Sequence, residues 1–218
     1  MTRALLATLL AVSFALTALG LRTAVHLRRY GDRGWRVSHS SWSGPAARAH
    51  GLLVMAGILL CAAPIAALAT SGHPAQPGGP GGVESLASED TTAATVSLAA
   101  GLLLAALGTG ITVVAQLQMG RSWRIGLDPT ERTALVTGGL FSVVRNPIYS
   151  GMGMFALGQA LLVPNLLALA ALVSGLAGLE VQVRSVEEPH LLHTHGEAYR
   201  RWASTAGRFV PGLGGLRS

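Results

Sequence analysis

Charged residues are scarce in this sequence. Only 12% of its 218 residues are Asp, Glu, Lys or Arg, whereas 50% are hydrophobic. A soluble domain carries about 25% charged residues. The composition therefore excludes an ordinary soluble domain and favours an integral membrane protein. Lysine is absent, so all sixteen basic residues are arginine.

Cysteine and the common catalytic motifs are also missing or nearly so. The single cysteine, Cys61, lies inside an apolar run, which excludes an internal disulfide and a thiolate metal site. The sequence contains no Walker A motif, no Gly-x-Ser-x-Gly, no CxxC and no HExxH. Three histidines lie near the C-terminus, but on one helix only His190 and His193 would share a face, and His195 would not join them. We therefore expect no bound metal.

The sequence contains four long apolar runs. Three of them have close to the 20 or so residues that span a bilayer: 4–21, 51–69 and 93–115. The fourth, 147–179, has 33 residues, which as one helix would be about 50 Å long against a hydrocarbon core of about 30 Å. Val163-Pro164-Asn165 supplies a break within it, because proline ends a helix and Pro-Asn favours a turn. The sequence predicts an all-α membrane protein with about five transmembrane helices, the last two forming a short hairpin.

The first run is predicted to be a retained span. Arg3 resembles the start of a signal peptide, but the arginine-rich segment after Leu21 is typical of a stop-transfer flank. In the last span, Ala170, Ser174 and Gly178 are spaced by four residues, and small residues at this spacing predict a helix-packing face. We expect two parts: 1–92 with the first two spans and the loop that follows, and 93–218 with the remaining spans and the tail.

The arginines set the predicted orientation. Segment 22–49 holds six of them, 116–146 holds four, and the chain after 180 holds five, whereas 70–92 holds none. By the positive-inside rule, the N-terminus and 70–92 lie outside, and the C-terminal tail is cytoplasmic. Because the arginines flank membrane spans, the high pI does not indicate a nucleic-acid partner.

Two polar clusters, 118–153 and 180–212, flank the predicted hairpin at its cytoplasmic ends, so we expect them to meet in space. In the first cluster, Pro147 suits the first turn of a helix, and Asn146 before it is expected to be extended and to cap that helix. The N-terminal end of the helix favours an anion. Tyr149 offers a hydroxyl or a ring face, and Gly151 permits close approach. An ordinary capped membrane helix with a packing glycine remains an alternative.

In the second cluster, Glu187 and Glu188 are adjacent and would point about 100° apart on a helix. One can therefore face a ligand while the other pairs with an arginine. A carboxylate at a membrane interface suits an ammonium, a sulfonium or ribose hydroxyls. A solvated helix face is the alternative for the glutamates, and an interfacial helix is the alternative for the aromatic and arginine residues that follow.

The order of four short motifs resembles a known family. They read Arg-Asn-Pro-Ile-Tyr-Ser-Gly at 145–151, Glu-Glu-Pro-His-Leu at 187–191, Gly-Glu-Ala-Tyr at 196–199 and Arg-Phe-Val-Pro at 208–211. With the hairpin between the first two, they resemble the isoprenylcysteine carboxyl methyltransferase family, in a bacterial-type member, and more distantly the membrane phospholipid methyltransferases. The resemblance covers about residues 118–211, and the first two spans carry no recognisable motif.

The resemblance implies a methyltransferase that uses S-adenosylmethionine and acts on a hydrophobic or lipid-like carboxylate, thiol or amine at the cytoplasmic membrane interface. The plasma membrane of a bacterium is the implied location. The implied cofactor-binding residues are Arg145, Asn146, Pro147, Tyr149, Gly151, Glu187, Glu188 and Tyr199. The implied catalytic residues are Arg145, Glu188 and Arg208.

Two departures from the family pattern bear on the chemistry. The family's histidine is replaced by Asn146, which cannot act as a general base. Pro189 lies inside the glutamate motif and is expected to break or kink the helix there. Two other functions remain open: an NADPH-dependent membrane reductase with a similar C-terminal hairpin, and a non-enzymatic membrane interaction protein. The sequence indicates neither the acceptor nor the oligomeric state.

Overall fold

The computed structural model describes residues 2–36, 44–70, 91–126 and 133–215. This part of the chain forms α-helices joined by short π-helical and 3₁₀ segments. The helices are α1 (Thr2–Phe14), α2 (Arg22–Tyr30), α3 (Gly44–Thr70), α4 (Thr91–Met119), α5 (Pro147–Leu162), α6 (Leu166–Gln182) and α7 (Glu188–Thr205). The predicted helical membrane fold is confirmed.

Four of the helical runs are long and apolar enough to cross a membrane, and they begin at Arg3, Gly44, Thr91 and Leu166. The predicted fifth span, α5, has 16 residues, about 24 Å of helix. Helices α5 and α6 form the predicted hairpin. The break falls where Pro164 and Asn165 interrupt the helix, and the Asn165 side chain accepts a hydrogen bond from the Ala168 amide at 2.9 Å.

The first helix extends beyond the predicted span. A π-helical segment, Ala15–Leu21, joins α1 to α2, and the run continues to Tyr30. Gly31, with φ of 71°, then ends it in the left-handed conformation that glycine tolerates best. The chain next forms a two-residue strand, β1 (Trp35–Arg36), which pairs in parallel with β2 (Ile125–Gly126). This two-residue strand pair is a local addition to a helical fold, and the all-α prediction is confirmed.

Small residues allow the central helices to pack closely. A Cβ added to Gly151 of α5 would lie 2.6 Å from the Gly108 carbonyl oxygen and 2.4 Å from Thr112 Oγ1 of α4. A Cβ added to Gly178 of α6 would lie 3.0 Å from the Leu53 side chain of α3, which is a looser contact. The predicted packing stripe is only partly correct, because Ala170 is exposed. Eight residues rotate a helix by about 80° beyond two full turns, so Ala170 and Gly178 do not share a face.

The N-terminus and the tip of the hairpin lie at the same end of the helix bundle. Arg3 donates a hydrogen bond to the Ala94 carbonyl at 2.5 Å, and Ser97 donates to that of Leu161 at 2.7 Å. The segment before α5 and the C-terminal tail lie together at the opposite end, as described below. This arrangement agrees with the order of sides predicted from the arginines. Most of the predicted outer loop, 71–90, lies outside the described residues.

Pro189 does not break the helix after the glutamates, so that prediction is wrong. A π-helical segment, Val183–Glu187, joins α6 to α7, and the Glu188 amide donates to the Val183 carbonyl. Because α7 begins at Glu188, Pro189 falls in its first turn, where a missing N–H is tolerated. The irregularity therefore precedes the proline. The helical run from Leu166 to Thr205 has 40 residues, but it kinks at Gly196, whose φ of 52° and ψ of −125° are not helical.

Candidate functional site

Backbone hydrogen bonds bring the two polar clusters together. Val144 and Gly207 form a parallel bridge, in which the Arg145 amide donates to the Gly207 carbonyl at 2.7 Å. The Gly207 amide in turn donates to the Val143 carbonyl at 3.0 Å. The predicted meeting of the clusters is confirmed, and it places the start of α5 directly against the tail.

Arg145 lies at the centre of a buried ionic network. Its side chain is 1% exposed, and its Nη2 lies 2.7 Å from Glu188 Oε1. Arg208 holds the same carboxylate through two hydrogen bonds, of 2.9 Å from Nε and 3.1 Å from Nη2. Two arginines thus share the carboxylate of Glu188. This agrees with the prediction that one of the two adjacent glutamates pairs with an arginine.

The remaining donors of Arg145 hold the tail. Nη1 donates to the carbonyl oxygens of Ala203 and Ala206 at 2.7 and 2.8 Å, and Nη2 donates to that of Gly214 at 2.9 Å. Carbonyls at the end of α7 are favourable partners for a cation because they carry the negative end of the helix dipole. Arg145 therefore fixes the end of α7 and the residues after it.

The network shifts the ionisation of its members. Burial raises the pKa of Glu188, but hydrogen bonds from Arg208 and Arg145 outweigh burial, and the resulting pKa is below its ordinary value. The hydrogen bond to Glu188 raises the pKa of Arg208. Glu188 and Arg208 are therefore both charged near neutral pH.

Glu187 points to a different set of partners. Its Oε1 accepts a hydrogen bond of 2.5 Å from the Tyr149 hydroxyl and one of 3.1 Å from Gln182 Nε2. The two adjacent glutamates thus divide as their angular separation predicts, with Glu188 turned to the arginines and Glu187 turned to Tyr149.

Asn146 holds the cap position of α5, but its side chain does not cap the helix. Its Nδ2 donates instead to the Arg208 carbonyl at 3.0 Å. The amide groups at the start of α5 therefore receive no side-chain acceptor from Asn146, which leaves the positive end of the helix dipole without that partner.

A cavity of about 430 Å³ lies at this end of the bundle. Its walls combine apolar and polar side chains, and it is called the polar cavity below because it is the more polar of two neighbouring cavities. It is bounded by α4, the segment before α5, and α7. Five of the predicted site residues line it: Arg145, Asn146, Pro147, Tyr149 and Glu187. Sequence reasoning missed other polar or aromatic lining residues, among them Gln116, Trp123, Gln182, His190, His195 and Trp202. These fall outside the matched motifs or were interpreted as interfacial or solvated, and no local sequence signal distinguished them.

The walls of this cavity suit a ligand that carries both hydrogen-bond donors and acceptors. The side chains of Asn146, Gln182 and Glu187 supply donors and acceptors, and the rings of Trp123 and Trp202 add aromatic faces. These groups fit an adenosyl amino acid such as S-adenosylmethionine.

A second cavity of about 640 Å³ adjoins the first. Its walls are mostly aliphatic and come from α5, α6 and the tail, including Met154, Leu157 and Leu176. Pro147 and Tyr149 line both cavities, so the first turn of α5 forms part of the wall between them. The site thus has a polar compartment and an apolar compartment in contact.

Four predicted site residues line neither cavity. Gly151 contacts α4, and Glu188 and Arg208 face each other in the ionic network. Tyr199 is 1% exposed and packs edge-on against Trp202, with ring centroids 5.6 Å apart. These positions favour packing and positioning, and the predicted binding or catalytic roles of these residues stay predictions.

The tail histidines divide between two surroundings. His190 and His195 line the polar cavity, whereas His193 is exposed. Within the described residues, no three His, Cys, Asp or Glu side chains are grouped so that they could hold a metal ion.

Comparison with known proteins finds a similarity to one family over part of the chain. Residues 96–198 match the model of the phospholipid methyltransferase family, which confirms the predicted resemblance to membrane methyltransferases. The match begins earlier than the predicted 118 and ends before Arg208. Together with the apolar helices, it supports an integral membrane methyltransferase.

A solved structure and the curated proteins give two further findings. The structure of the eukaryotic intramembrane Ras methyltransferase ICMT (isoprenylcysteine carboxyl methyltransferase) is 14% identical over 97% of this chain and 99% of that chain, with a TM-score of 0.49. A comparison with curated protein sequences gives no match.

Proposed function

We propose that this protein is an S-adenosylmethionine-dependent methyltransferase that acts on a hydrophobic or lipid-like acceptor at the cytoplasmic face of the plasma membrane. The observation that carries the proposal is a pair of neighbouring cavities that share Pro147 and Tyr149, one lined almost entirely by apolar side chains and the other by apolar and polar side chains together. A charged cofactor and an apolar acceptor need such different surroundings, because burying a charge in an apolar site is costly and burying an apolar chain is favourable.

The polar cavity is the proposed cofactor site. The amide groups at the start of α5 and the nearby positive charge of Arg145 suit a carboxylate. Glu187 suits an ammonium group or ribose hydroxyls, and the tyrosine or tryptophan rings suit adenine or a sulfonium. When bound, S-adenosylmethionine supplies an electrophilic methyl group on a positively charged sulfur.

The apolar cavity is the proposed acceptor site. Its aliphatic walls exclude water and accommodate an apolar chain, which leaves the reactive carboxylate, thiol or amine of the acceptor near Tyr149. The wall residues then orient the nucleophile toward the polar cavity, and such positioning contributes much of the rate in a direct displacement. Asn146 offers no base, so an acceptor that is already ionised or is activated by the surrounding polar groups fits best.

The network of Arg145, Glu188 and Arg208 supports a positioning role. It holds α7 and the tail against the start of α5, and so it sets the distance between the two walls of the polar cavity. Tyr199 packs in the same region. Loss of this network is expected to weaken cofactor binding, although two of its members, Glu188 and Arg208, line neither cavity.

Ligand titration tests the proposal. Purified protein in detergent is titrated by calorimetry with S-adenosylhomocysteine and, separately, with NADPH. We expect binding of S-adenosylhomocysteine at micromolar concentrations and none of NADPH. The opposite result would favour the reductase alternative, and binding of neither would favour the non-enzymatic one.

Methyl transfer is tested with S-adenosylmethionine labelled at the methyl group. Membranes that contain the parent protein should transfer label into the organic-solvent extract, and mass spectrometry of that extract identifies the acceptor. Membranes that contain Glu187→Gln at equal protein level serve as the control. Equal labelling from both membranes would contradict the proposed site.

A further inference from the structure

Tyr149 connects the two cavities of the site through one hydrogen bond. It lies in the first turn of α5 and lines both the apolar and the polar cavity. Its hydroxyl donates to Glu187 Oε1 at 2.5 Å, and Glu187 lines the polar cavity. Neither residue is fully buried. The pair therefore joins the proposed acceptor site to the proposed cofactor site.

The hydrogen bonds around Glu187 fix the direction of the Tyr149 proton. Glu187 Oε1 accepts from Tyr149 and also from Gln182 Nε2, at 3.1 Å. A phenol has one proton and can also accept hydrogen bonds through its lone pairs. Because the Tyr149 proton is used toward Glu187, the lone pairs of Tyr149 Oη remain for a donor from elsewhere. A group with an N–H or S–H bond in the apolar cavity is such a donor.

The surroundings of Glu187 favour the uptake of a proton. Burial raises the pKa of Glu187 above its ordinary value and outweighs the hydrogen bonds from Tyr149 and Gln182, which lower this pKa; the charge of Glu188 raises it further. Glu188 itself is held as an anion by two arginines. The other titratable or charged side chains that line the two cavities, within the described residues, are His50, Arg124, Arg145, Glu180, His190 and His195. Because some of these groups also titrate, the test compares variants with the parent at each pH.

We propose that Tyr149 and Glu187 form a proton relay, and that the methyl acceptor is a nucleophile that carries an N–H or S–H proton. This inference rests on the proposed function. The acceptor binds in the apolar cavity and donates that proton to Tyr149 Oη. A carboxylate acceptor would be ionised near neutral pH and would need no relay. The pair therefore favours an amine or a thiol over a carboxylate.

The relay balances for either acceptor. The N–H or S–H bond of the acceptor breaks, its proton passes to Tyr149 Oη, and the Tyr149 proton passes to Glu187 Oε1. The lone pair freed on the acceptor forms a bond to the methyl carbon, and the carbon–sulfur bond breaks with its electron pair left on sulfur. Glu187 then carries one proton, which leaves through the polar cavity before the next cycle.

Tyr149→Phe tests the relay, because it removes the hydroxyl and keeps the ring. We expect its affinity for S-adenosylhomocysteine, measured by calorimetry, to stay near that of the parent. Methyl transfer at saturating labelled S-adenosylmethionine should fall by at least about 100-fold at neutral pH, the usual lower limit for loss of general acid–base catalysis. Tyr30→Phe is the matched control, since Tyr30 lines neither cavity and its ring contact with His26 is kept. It should transfer label as the parent does.

The pH dependence of this deficit separates an amine from a thiol. Transfer of label into the organic-solvent extract of membranes is measured for the parent and Tyr149→Phe over a range of pH. An acceptor that has already lost its proton to water needs no relay. The deficit should therefore shrink as the pH approaches the pKa of the acceptor, about 8.5 for a thiol and about 10.4 for an amine. Glu187→Gln at saturating cofactor should show the same recovery, and it repeats the test if Tyr149→Phe does not fold.

Infrared spectroscopy supplies a readout that needs no cofactor. The protonated carboxyl band of Glu187 is identified as the band that Glu187→Gln lacks. In the parent, this band should titrate above about pH 4.3, the ordinary pKa of a glutamate. In Tyr149→Phe, its midpoint should move to higher pH, because the hydrogen bond from Tyr149 lowers the pKa of Glu187 and is lost.

Four outcomes overturn the relay while leaving the proposed function intact. They are parent-like methyl transfer by Tyr149→Phe, a deficit that is equal at every pH, a loss of S-adenosylhomocysteine affinity that accounts for the loss of transfer, and an unchanged infrared midpoint of Glu187 in that variant. A parent that does not bind S-adenosylhomocysteine at all removes the proposed function itself, and this inference with it.

Discussion

Arg145 Nη2 lies 2.7 Å from Glu188 Oε1, between side chains that are only 1% and 9% exposed. Arg208 binds the same carboxylate. A buried ion pair adds little net stability when complete, but removal of one partner costs about 3–5 kcal/mol because a buried charge is left behind. The pair therefore makes the position of α7 sensitive to a single change.

Glu188→Gln is predicted to lower the thermal stability of the detergent-solubilised protein and to weaken binding of S-adenosylhomocysteine at least tenfold. The neutral amide cannot balance two guanidinium groups. Arg145→Ala is expected to act in the same direction, because it also releases the tail. Glu197→Gln is the control, since Glu197 pairs with Arg200 on the surface with its side chain 68% exposed. Parent-like melting and binding of both network variants would refute the positioning role.

Glu187→Gln is predicted to weaken binding of S-adenosylhomocysteine about 10- to 150-fold, which corresponds to the loss of one hydrogen bond to a charged group, about 1.5–3 kcal/mol. Its carboxylate lies in the wall of the polar cavity. The matched control, His193→Ala, changes an exposed residue on the same helix and should bind as the parent does. The affinity of each variant for S-adenosylhomocysteine is measured by calorimetry. Equal affinities of the two variants would show that Glu187 does not contact the cofactor.

Gly151→Ala is predicted to destabilise the protein strongly, because the added Cβ would meet Thr112 Oγ1 at 2.4 Å and the Gly108 carbonyl at 2.6 Å. Helices α4 and α5 would have to move apart, and the first turn of α5 carries the cofactor-site residues. Gly110→Ala on α4 is the control, since its Cβ would meet nothing within 4 Å. Thermal unfolding should show a large drop for the first variant only. A small drop for Gly151→Ala would mean that the helix pair adapts easily.

Reporter fusions at residues 80 and 215 are predicted to lie on opposite sides of the membrane, with residue 215 in the cytoplasm. Fifteen of the sixteen arginines fall in segments assigned to the cytoplasmic side, and the positive-inside rule sets the orientation from them. A phosphatase fusion active at residue 80 and a fluorescent protein fusion bright at residue 215 would agree with this. Reporters on the same side would contradict an even number of crossings in the hairpin.

The sequence by itself determined the membrane class, the approximate spans, the hairpin and the meeting of its two polar flanks. These follow from local properties. The length of each apolar run, the arginine counts and the Pro164-Asn165 break can be recognised in the sequence without knowledge of any tertiary contact. The angular separation of Glu187 and Glu188 also follows from helix geometry alone, although which glutamate faces the arginines does not.

Only the tertiary structure decided how the site is divided. Arg145 reaches the carbonyls of α7, Gly151 contacts α4, and Gln116 is oriented by a carbonyl of the first span. These contacts join residues that are far apart in the sequence, and no periodicity or motif encodes them. The sequence predicts a disturbance at Pro189, where the missing N–H and the clash of the proline ring with the preceding turn oppose a regular helix. Only the structure shows that the chain continues through a widened π-helical turn, Val183–Glu187, directly before it.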